Sequence, residues 1–181
     1  MAAKRLFTGI FIDCGIFEDI YPEIKSDFEP AVSGKWVEPD NLHFTLKFLG
    51  DTDVEIIDDI KESLADLTAE INSPLFLKGM RAFPNLKRPR VLVVPVFNPD
   101  RELFRIHADM ESRLEQFGFE RERRKFQPHM TLMRIKSFAD DVFQDIAKKY
   151  SAFEFGEMTH FRVNLIESHL SKSGPTYKII A

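Results

Sequence analysis

Hydrophobic residues recur along this chain in two alternating patterns. Apolar, β-branched and aromatic residues in short runs, or at every second position, predict strands at residues 5–12, 35–37, 42–49, 75–83, 90–97, 126–135, 153–155, 159–170 and 176–180. Apolar residues at spacings of three and four predict helices at residues 16–28, 54–71, 99–117 and 138–150. Strands therefore alternate with helices from one end of the chain to the other, which indicates a mixed α and β fold.

The arrangement of these segments indicates a single unit. No low-complexity tract and no linker rich in proline, glycine or serine divides the chain, so we expect residues 1–181 to form one domain. A faint internal repeat is present. Two strands contain the pattern His-x-Thr, and each is accompanied along the chain by a further strand and by helices. Residues 171–175 carry the serine, glycine and proline of a turn, which predicts a closing hairpin.

Composition places the chain among ordinary globular proteins. It has 181 residues, of which 44% are hydrophobic and 30% are charged. The single cysteine, Cys14, excludes an internal disulfide, fits a reducing cytoplasm, and is expected to be packed at the end of an apolar run. The apolar run at residues 6–12 is too short for a signal peptide or a membrane span. We therefore expect a cytoplasmic protein that does not bind membranes, with a monomer as the default state.

Charge is unevenly distributed along the chain. The net charge is −4, yet residues 78–90 contain five basic residues and no acidic one. Residues 121–136 contain six basic residues and one acidic residue. Such segments form either ordinary solvated faces or a basic cleft for a polyanion. Because the second segment runs through a motif described next, the pattern favours the cleft.

Two short motifs place a histidine and a threonine two residues apart. They read His43-Phe-Thr45-Leu and His129-Met-Thr131-Leu. In a strand, residues i and i+2 point to the same face, so each motif presents an imidazole beside a hydroxyl while its apolar residues point into the core. One such pair is typical of an ordinary strand, whereas two matching copies indicate a site. Facing one cleft, they would surround a small anion.

This set of groups suits the hydrolysis of a cyclic phosphodiester. One histidine can deprotonate water while the other protonates the departing oxygen, since an unperturbed imidazole titrates near neutral pH. The threonine hydroxyls can donate hydrogen bonds to the charge that develops on phosphate oxygens. The scheme needs no metal or cofactor, and no metal-ligand spacing occurs. The other histidines, at positions 107, 160 and 169, are expected to be surface or packing residues.

The twin motifs resemble those of the 2H phosphoesterase superfamily. Residues 5–7, 41–50 and 128–134 and the closing strand after Gly174 resemble its RNA 2′,3′-cyclic phosphodiesterase branch, also called 2′-5′ RNA ligase-like. The resemblance covers nearly the whole chain. It implies a bilobal α+β fold, in which two antiparallel sheets face a central cleft and helices lie outside. It also implies an enzyme that hydrolyses RNA 2′,3′-cyclic phosphate ends to 2′-phosphates without a metal.

The same resemblance implies roles for individual residues. His43 would donate a proton to O3′ and His129 would accept one from water, although the residues alone leave acid and base unassigned. Phe48 and Arg134 match positions near the nucleotide, where an aromatic ring can stack on a base and a guanidinium can bind phosphate. By strand alternation Phe48 would point to the same side as the core-facing residues Phe44 and Leu46, so contact with a base requires a bend in the strand. Lys47 either adds positive potential or points to water.

Other functions remain open from the sequence. The same site could hydrolyse small cyclic nucleotides or join RNA ends through 2′-5′ bonds, which is the reverse use of one acid–base pair. A non-catalytic module that binds RNA or nucleotides is the alternative from a different class. Binding alone would favour arginine and lysine over histidine. The expected partners are RNA ends or nucleotides that carry a 2′,3′-cyclic phosphate.

Overall fold

The structure is a computed structural model that describes residues 2–171 and 174–181. Within these ranges the strands are β1 (Ala3–Phe11), β2 (Val32–Trp36), β3 (His43–Asp53), β4 (Glu70–Ile71), β5 (Leu75–Lys78), β6 (Arg81–Phe83), β7 (Val91–Phe97), β8 (His129–Phe138), β9 (Glu154–Met158), β10 (Phe161–Arg162), β11 (Asn164–Leu170) and β12 (Pro175–Ile179). The α-helices are α1 (Ile20–Phe28), α2 (Ile57–Leu64), α3 (Glu102–Glu115) and α4 (Asp140–Lys149). Short 3-10 helices cover Cys14–Phe17, Pro39–Asn41 and Val54–Ile56.

The described residues form one ten-stranded antiparallel sheet, which narrows at a junction into two parts, here called the two sheets. The first part has the order β12-β11-β1-β3, and the second has the order β8-β7-β5-β9, with β2 added to β8 and β6 to β7. Strands β10 and β4 pair separately. Between the sheets, β3 and β8 pair only through Phe44 and Met130 in the described part of the chain. This arrangement confirms the predicted α+β fold with two lobes. One hydrophobic cluster extends through both lobes, and a single domain over residues 1–181 stays a prediction.

The helices pack in pairs away from the junction. Helix α1 contacts α4, and α2 contacts α3. Their apolar stripes are buried, as the spacing of three and four predicts. No helix in residues 2–171 or 174–181 has both the length and the apolar composition of a membrane span.

Several predicted boundaries differ from the structure. The helix predicted at 54–71 is α2 over Ile57–Leu64 only. After it the chain tightens into 3-10-type turns, because Ala65 N–H bonds to Glu62 O and Leu67 N–H to Leu64 O, each three residues back. The strand predicted at 75–83 divides at Gly79, whose φ of 75° is a left-handed conformation. Cys14, predicted to be packed, is exposed.

The predicted closing hairpin is formed by β11 and β12, which pair in antiparallel fashion from Ile166 with Ile179 to Leu170 with Pro175. Its predicted turn includes Lys172 and Ser173, which lie outside the described residues.

Candidate active site

Both His-x-Thr motifs line one central cavity between the lobes. The cavity has a volume of about 1150 Å³, and His43, Thr45, His129 and Thr131 all contribute to its wall. The motifs meet because their middle residues form the single pair that joins β3 to β8 in the described part of the chain. In an antiparallel pairing the neighbours of that pair extend it, so His43 lies across from Thr131 and Thr45 across from His129. The junction of the two sheets therefore brings all four groups together on one face.

Each imidazole is oriented by a backbone carbonyl two residues before it. His43 Nδ1 lies 2.6 Å from Asn41 O, and His129 Nδ1 lies 2.7 Å from Gln127 O. A carbonyl oxygen can only accept, so Nδ1 carries the hydrogen and donates it in both rings. Nε2 is then the nitrogen left for a ligand, as an acceptor in the neutral ring or as a donor in the protonated ring. The same nitrogen is thus left available in both histidines.

The surroundings of the two imidazoles differ. His43 packs among three aromatic rings, with centroid distances of 5.2 Å to Phe7, 5.8 Å to Phe11 and 4.9 Å to Tyr177. Burial lowers the pKa of His43, the hydrogen bond to the Asn41 carbonyl opposes this shift, and the charge of Arg134 adds to it. The environment therefore favours a neutral His43 in the free protein, and a bound anion would favour its protonated form.

The wall around His129 is built from different residues. Its ring lies edge to face against Phe83, with centroids 4.9 Å apart, and it stands opposite Pro95 of β7. The two motifs are equivalent in sequence, yet the lobes give them different neighbours. This difference provides a physical basis for separate roles, which the motifs alone do not.

A β-bulge in β3 turns Phe48 toward the cavity. The register of β1 against β3 shifts between Thr45 and Lys47, which leaves Leu46 without a partner in that pairing. Strict alternation would place Phe48 with Phe44 on the core side, but the extra residue reverses the parity. Phe48 is 72% exposed and lines the cavity. The bend that the predicted role of Phe48 requires is therefore present.

An equivalent bulge in β8 does the same for Arg134. The register of β7 against β8 shifts between Thr131 and Met133, so Leu132 is the extra residue. From each histidine onward, both strands show the same order of half-buried, buried, half-buried, buried, buried and exposed positions. Arg134 and Phe48 occupy the exposed sixth position of their motifs, and both line the cavity.

Arg134 acts electrostatically across the cavity. It belongs to the lobe of His129, but its charge lowers the pKa of His43 in the other lobe. It also opposes the rise in the pKa of Tyr177 that burial causes. An arginine at this position adds positive potential where a phosphate between the two motifs would lie.

Lys47 does not point to water, and although it contributes to the cavity wall its charge is paired with a carboxylate. It is only 7% exposed, and its Nζ donates to Glu111 Oε2 at 2.8 Å and to Glu120 O at 2.7 Å. The bulge explains this direction, since it leaves Leu46 and Lys47 as consecutive buried residues. The lysine therefore connects β3 to helix α3 and to the loop that follows it.

Removing the carboxylate of this buried pair should destabilise the fold. Glu111→Ala leaves the Lys47 ammonium buried without a counter-charge, and we expect a loss of about 3–5 kcal/mol in the free energy of unfolding. Glu115→Ala is the matched control one turn later, because it breaks the exposed ion pair with Arg121 and should cost about 0–1 kcal/mol. Urea denaturation of both variants tests this expectation, which is wrong if their losses are equal.

The remaining histidines lie away from the cavity wall. His107 stacks on Phe126, with centroids 3.9 Å apart, and its Nε2 lies 3.7 Å from Glu111 Oε1. His160 and His169 are exposed. Among the residues that the structure describes, no three metal-ligand side chains lie close enough together to hold an ion.

The aromatic wall around His43 is not predicted by any pattern in the sequence. Tyr177 lies in the predicted closing strand, and nothing local indicates that its ring packs on an imidazole more than a hundred residues earlier. Phe7 also lies 6.0 Å from Phe48 between ring centroids, so it links the histidine to the exposed ring. Phe7 in β1 pairs with Phe48 in β3, so knowledge of this strand pairing would have indicated that the two rings are neighbours.

Comparison with known proteins identifies relatives along nearly the whole chain. Residues 22–93 and 94–177 each match the family model described as LigT like Phosphoesterase. An RNA 2′,3′-cyclic phosphodiesterase of Archaeoglobus fulgidus is 38% identical over 96% of this chain and 96% of its own, and one of Aquifex aeolicus is 34% identical over 99% and 96%.

Solved structures show the same fold. The protein TT0787 of Thermus thermophilus superposes with a TM-score of 0.78 at 24% identity, covering 98% of this chain and 95% of its own. Escherichia coli LigT, crystallised with 3′-AMP, has a TM-score of 0.76 at 23% identity and covers 99% and 96%.

Proposed function

Because this chain belongs to the LigT-like phosphoesterase family, we propose that it hydrolyses the 2′,3′-cyclic phosphate at an RNA end and leaves the phosphate on O2′. The observation that carries the proposal is the pair of imidazoles in one cavity, each with Nδ1 bonded to a carbonyl and Nε2 left for a ligand. Relatives named RNA 2′,3′-cyclic phosphodiesterase support the same activity.

In the proposed reaction His129 acts as the base and His43 as the acid. Neutral His129 accepts a proton from water through Nε2 as the water oxygen bonds to phosphorus. The bond from phosphorus to O3′ breaks, and protonated His43 donates its Nε2 proton to O3′. The products are a 2′-phosphomonoester and a free 3′-hydroxyl. The two imidazoles lie diagonally across the junction, each beside one threonine and opposite the other, which suits an in-line displacement at a phosphorus between them.

The role proposed for His43 depends on the bound phosphate. Burial lowers the pKa of His43 and by itself favours the neutral ring. The charge of a cyclic phosphate beside it would raise that pKa and restore the proton. Burial still disfavours the charged ring, which assists transfer of its proton to the leaving O3′.

The other cavity groups have proposed roles as hydrogen-bond donors and as a nucleotide contact. Thr45 and Thr131 donate to the non-bridging phosphate oxygens as their charge increases. Arg134 binds a phosphate oxygen, and the exposed ring of Phe48 stacks on the terminal base. The two imidazoles supply both proton transfers, so the scheme uses no metal. A cytoplasmic location and a monomeric state stay predictions.

Product analysis tests this function. An RNA oligonucleotide with a 2′,3′-cyclic end is incubated with the protein in excess EDTA, and the product is compared with 2′- and 3′-phosphate standards by phosphorus NMR. We expect the 2′-phosphate at an undiminished rate. A 3′-phosphate, or activity that returns only after zinc or magnesium is added, would contradict the proposal. Adding an RNA with a 5′-hydroxyl end to the same reaction tests whether 2′-5′ ligation also occurs.

A further inference from the structure

A loop with an excess of basic residues forms part of the rim of the central cavity. Residues 120–125, here called the basic loop, lie between α3 and β8 and contain four basic residues, Arg121, Arg123, Arg124 and Lys125, against two acidic ones, Glu120 and Glu122. These four residues are exposed, and the three arginines line the cavity. The reaction proposed above uses none of them.

Most of this positive charge has no acidic partner. Arg121 pairs with Glu115 at 2.9 Å. Over residues 2–171 and 174–181, no carboxylate lies within ion-pair distance of Arg123, Arg124 or Lys125. Three adjacent cations without counter-charges repel one another, and a polyanion would relieve that repulsion. The loop therefore has the charge expected of a surface that binds phosphates.

The basic loop is also held at a defined place on the rim. The Glu122 backbone N–H donates to Glu111 Oε2 at 3.1 Å, and Lys47 Nζ donates to Glu120 O at 2.7 Å. Lys47 and Glu111 are themselves buried and paired. Since Lys47 directly precedes Phe48, these bonds fix the loop at the Phe48 end of the cavity.

A second basic segment provides a contrast. Residues 78–90 carry five basic residues, but Lys78 pairs with Glu154. In the described part of the chain, none of these five basic residues lines the cavity. The residue of this segment that does line it is Phe83. Charge alone therefore does not distinguish the two segments, whereas position does.

We propose that the basic loop binds the phosphodiester backbone of the RNA strand that leads into the cavity, so that strand ends are preferred to single nucleotides. The inference rests on the proposed function. With the cyclic phosphate between the histidines and its base beside Phe48, the next phosphates of the strand leave the cavity at the Phe48 end. Guanidinium groups bind phosphate oxygens in pairs, and each neutralised phosphate releases counterions. A mononucleotide has no such phosphates to offer.

The test compares two substrates in two triple variants. R123Q/R124Q/K125Q removes the unpaired charge of the basic loop, and K87Q/R88Q/R90Q removes the same charge from the second segment. The substrates are 2′,3′-cyclic AMP and a single-stranded RNA of about ten nucleotides with a 2′,3′-cyclic end. In the basic-loop variant, kcat/KM for the RNA should fall roughly 10- to 100-fold more than for the mononucleotide, mainly through KM. For the RNA, the plot of log(kcat/KM) against log salt concentration has a negative slope, and in the basic-loop variant this slope should be less negative by about 2 than in the wild type.

Each outcome has a defined meaning. Equal losses on both substrates, or a loss in the control variant as large as in the basic-loop variant, would overturn the inference. If the wild type converts neither substrate, the proposed function fails, and the inference is then judged on binding. Fluorescence anisotropy with the same RNA should still show affinity at least tenfold higher for the wild type than for the basic-loop variant. Equal affinities would overturn it.

Discussion

Alanine at either His43 or His129 should reduce turnover of a 2′,3′-cyclic RNA end by roughly 10²- to 10⁴-fold, the usual contribution of a general acid or base. Each variant removes the Nε2 that the proposed reaction uses. The double variant should lose less than the product of the two single losses, because the imidazoles act on one transition state. Initial rates at saturating and limiting substrate measure the effect on kcat and on kcat/KM.

His169→Ala is the matched control for these variants. His169 is exposed, lies outside the cavity wall and faces Glu167 instead, so its loss should change turnover little. Thermal unfolding of all three variants separates catalysis from stability, and we expect each to fold. His43→Ala should be the least stable of them because it removes a ring packed against three aromatic side chains. Full activity in both cavity variants would exclude an enzymatic role for these histidines.

The pH dependence can assign the acid and the base. If His43 is the acid, kcat/KM decreases as rising pH removes its proton. Because the pKa of His43 is lowered in the free protein, the alkaline limb of the residual activity in His129→Ala, which depends on His43 alone, should lie below the ordinary histidine value of about 6.5. The limb should persist in His129→Ala and be absent from His43→Ala. The opposite result would exchange the two roles.

Alanine at Thr45 or Thr131 should cost on the order of 10²-fold in kcat, as expected when one donor to a transition-state oxygen is removed. Each hydroxyl lies on the same strand face as its histidine and across the junction from the other one. It can therefore reach an oxygen of a phosphate that both imidazoles contact. Steady-state kinetics should show the loss mainly in kcat, because the donated bonds strengthen as charge develops.

Two further substitutions isolate the hydroxyl itself. Thr→Ser keeps the donor and should retain most of the activity, whereas Thr→Val keeps the shape of the side chain and should lose about as much as alanine. A loss below about threefold in both alanine variants would mean that the hydroxyls do not contact the phosphate.

The local pattern of the chain carries much of the fold and of the site. Alternation over residues 42–49 predicts a strand that presents His43 and Thr45 on one face, and the structure has that strand as β3. Local spacing predicts which residues share a strand face, because the geometry of an extended backbone makes successive side chains point to opposite faces. Twin motifs in matching contexts then indicate a two-histidine site, and the family resemblance extends this to the bilobal fold.

Other features depend on one extra residue in a strand. A β-bulge reverses the parity of everything after it, and nothing in the composition of residues 41–50 marks Leu46 as that residue. The exposure of Phe48 and the burial of Lys47 follow from the partner strand. The same holds for Arg134 in β8. The directions of the Phe48, Lys47 and Arg134 side chains therefore depend on the tertiary structure.

By itself the sequence determined which groups the site contains: two imidazoles, each beside a hydroxyl on a rigid strand. Only the tertiary structure decided how they are combined. Phe44 and Met130 bring the strands together, Tyr177 closes around one imidazole, and Glu111 holds the basic loop at the rim. The physical reason is range, since side-chain periodicity extends over a few residues, whereas each of these contacts joins segments that only packing of the whole chain brings together.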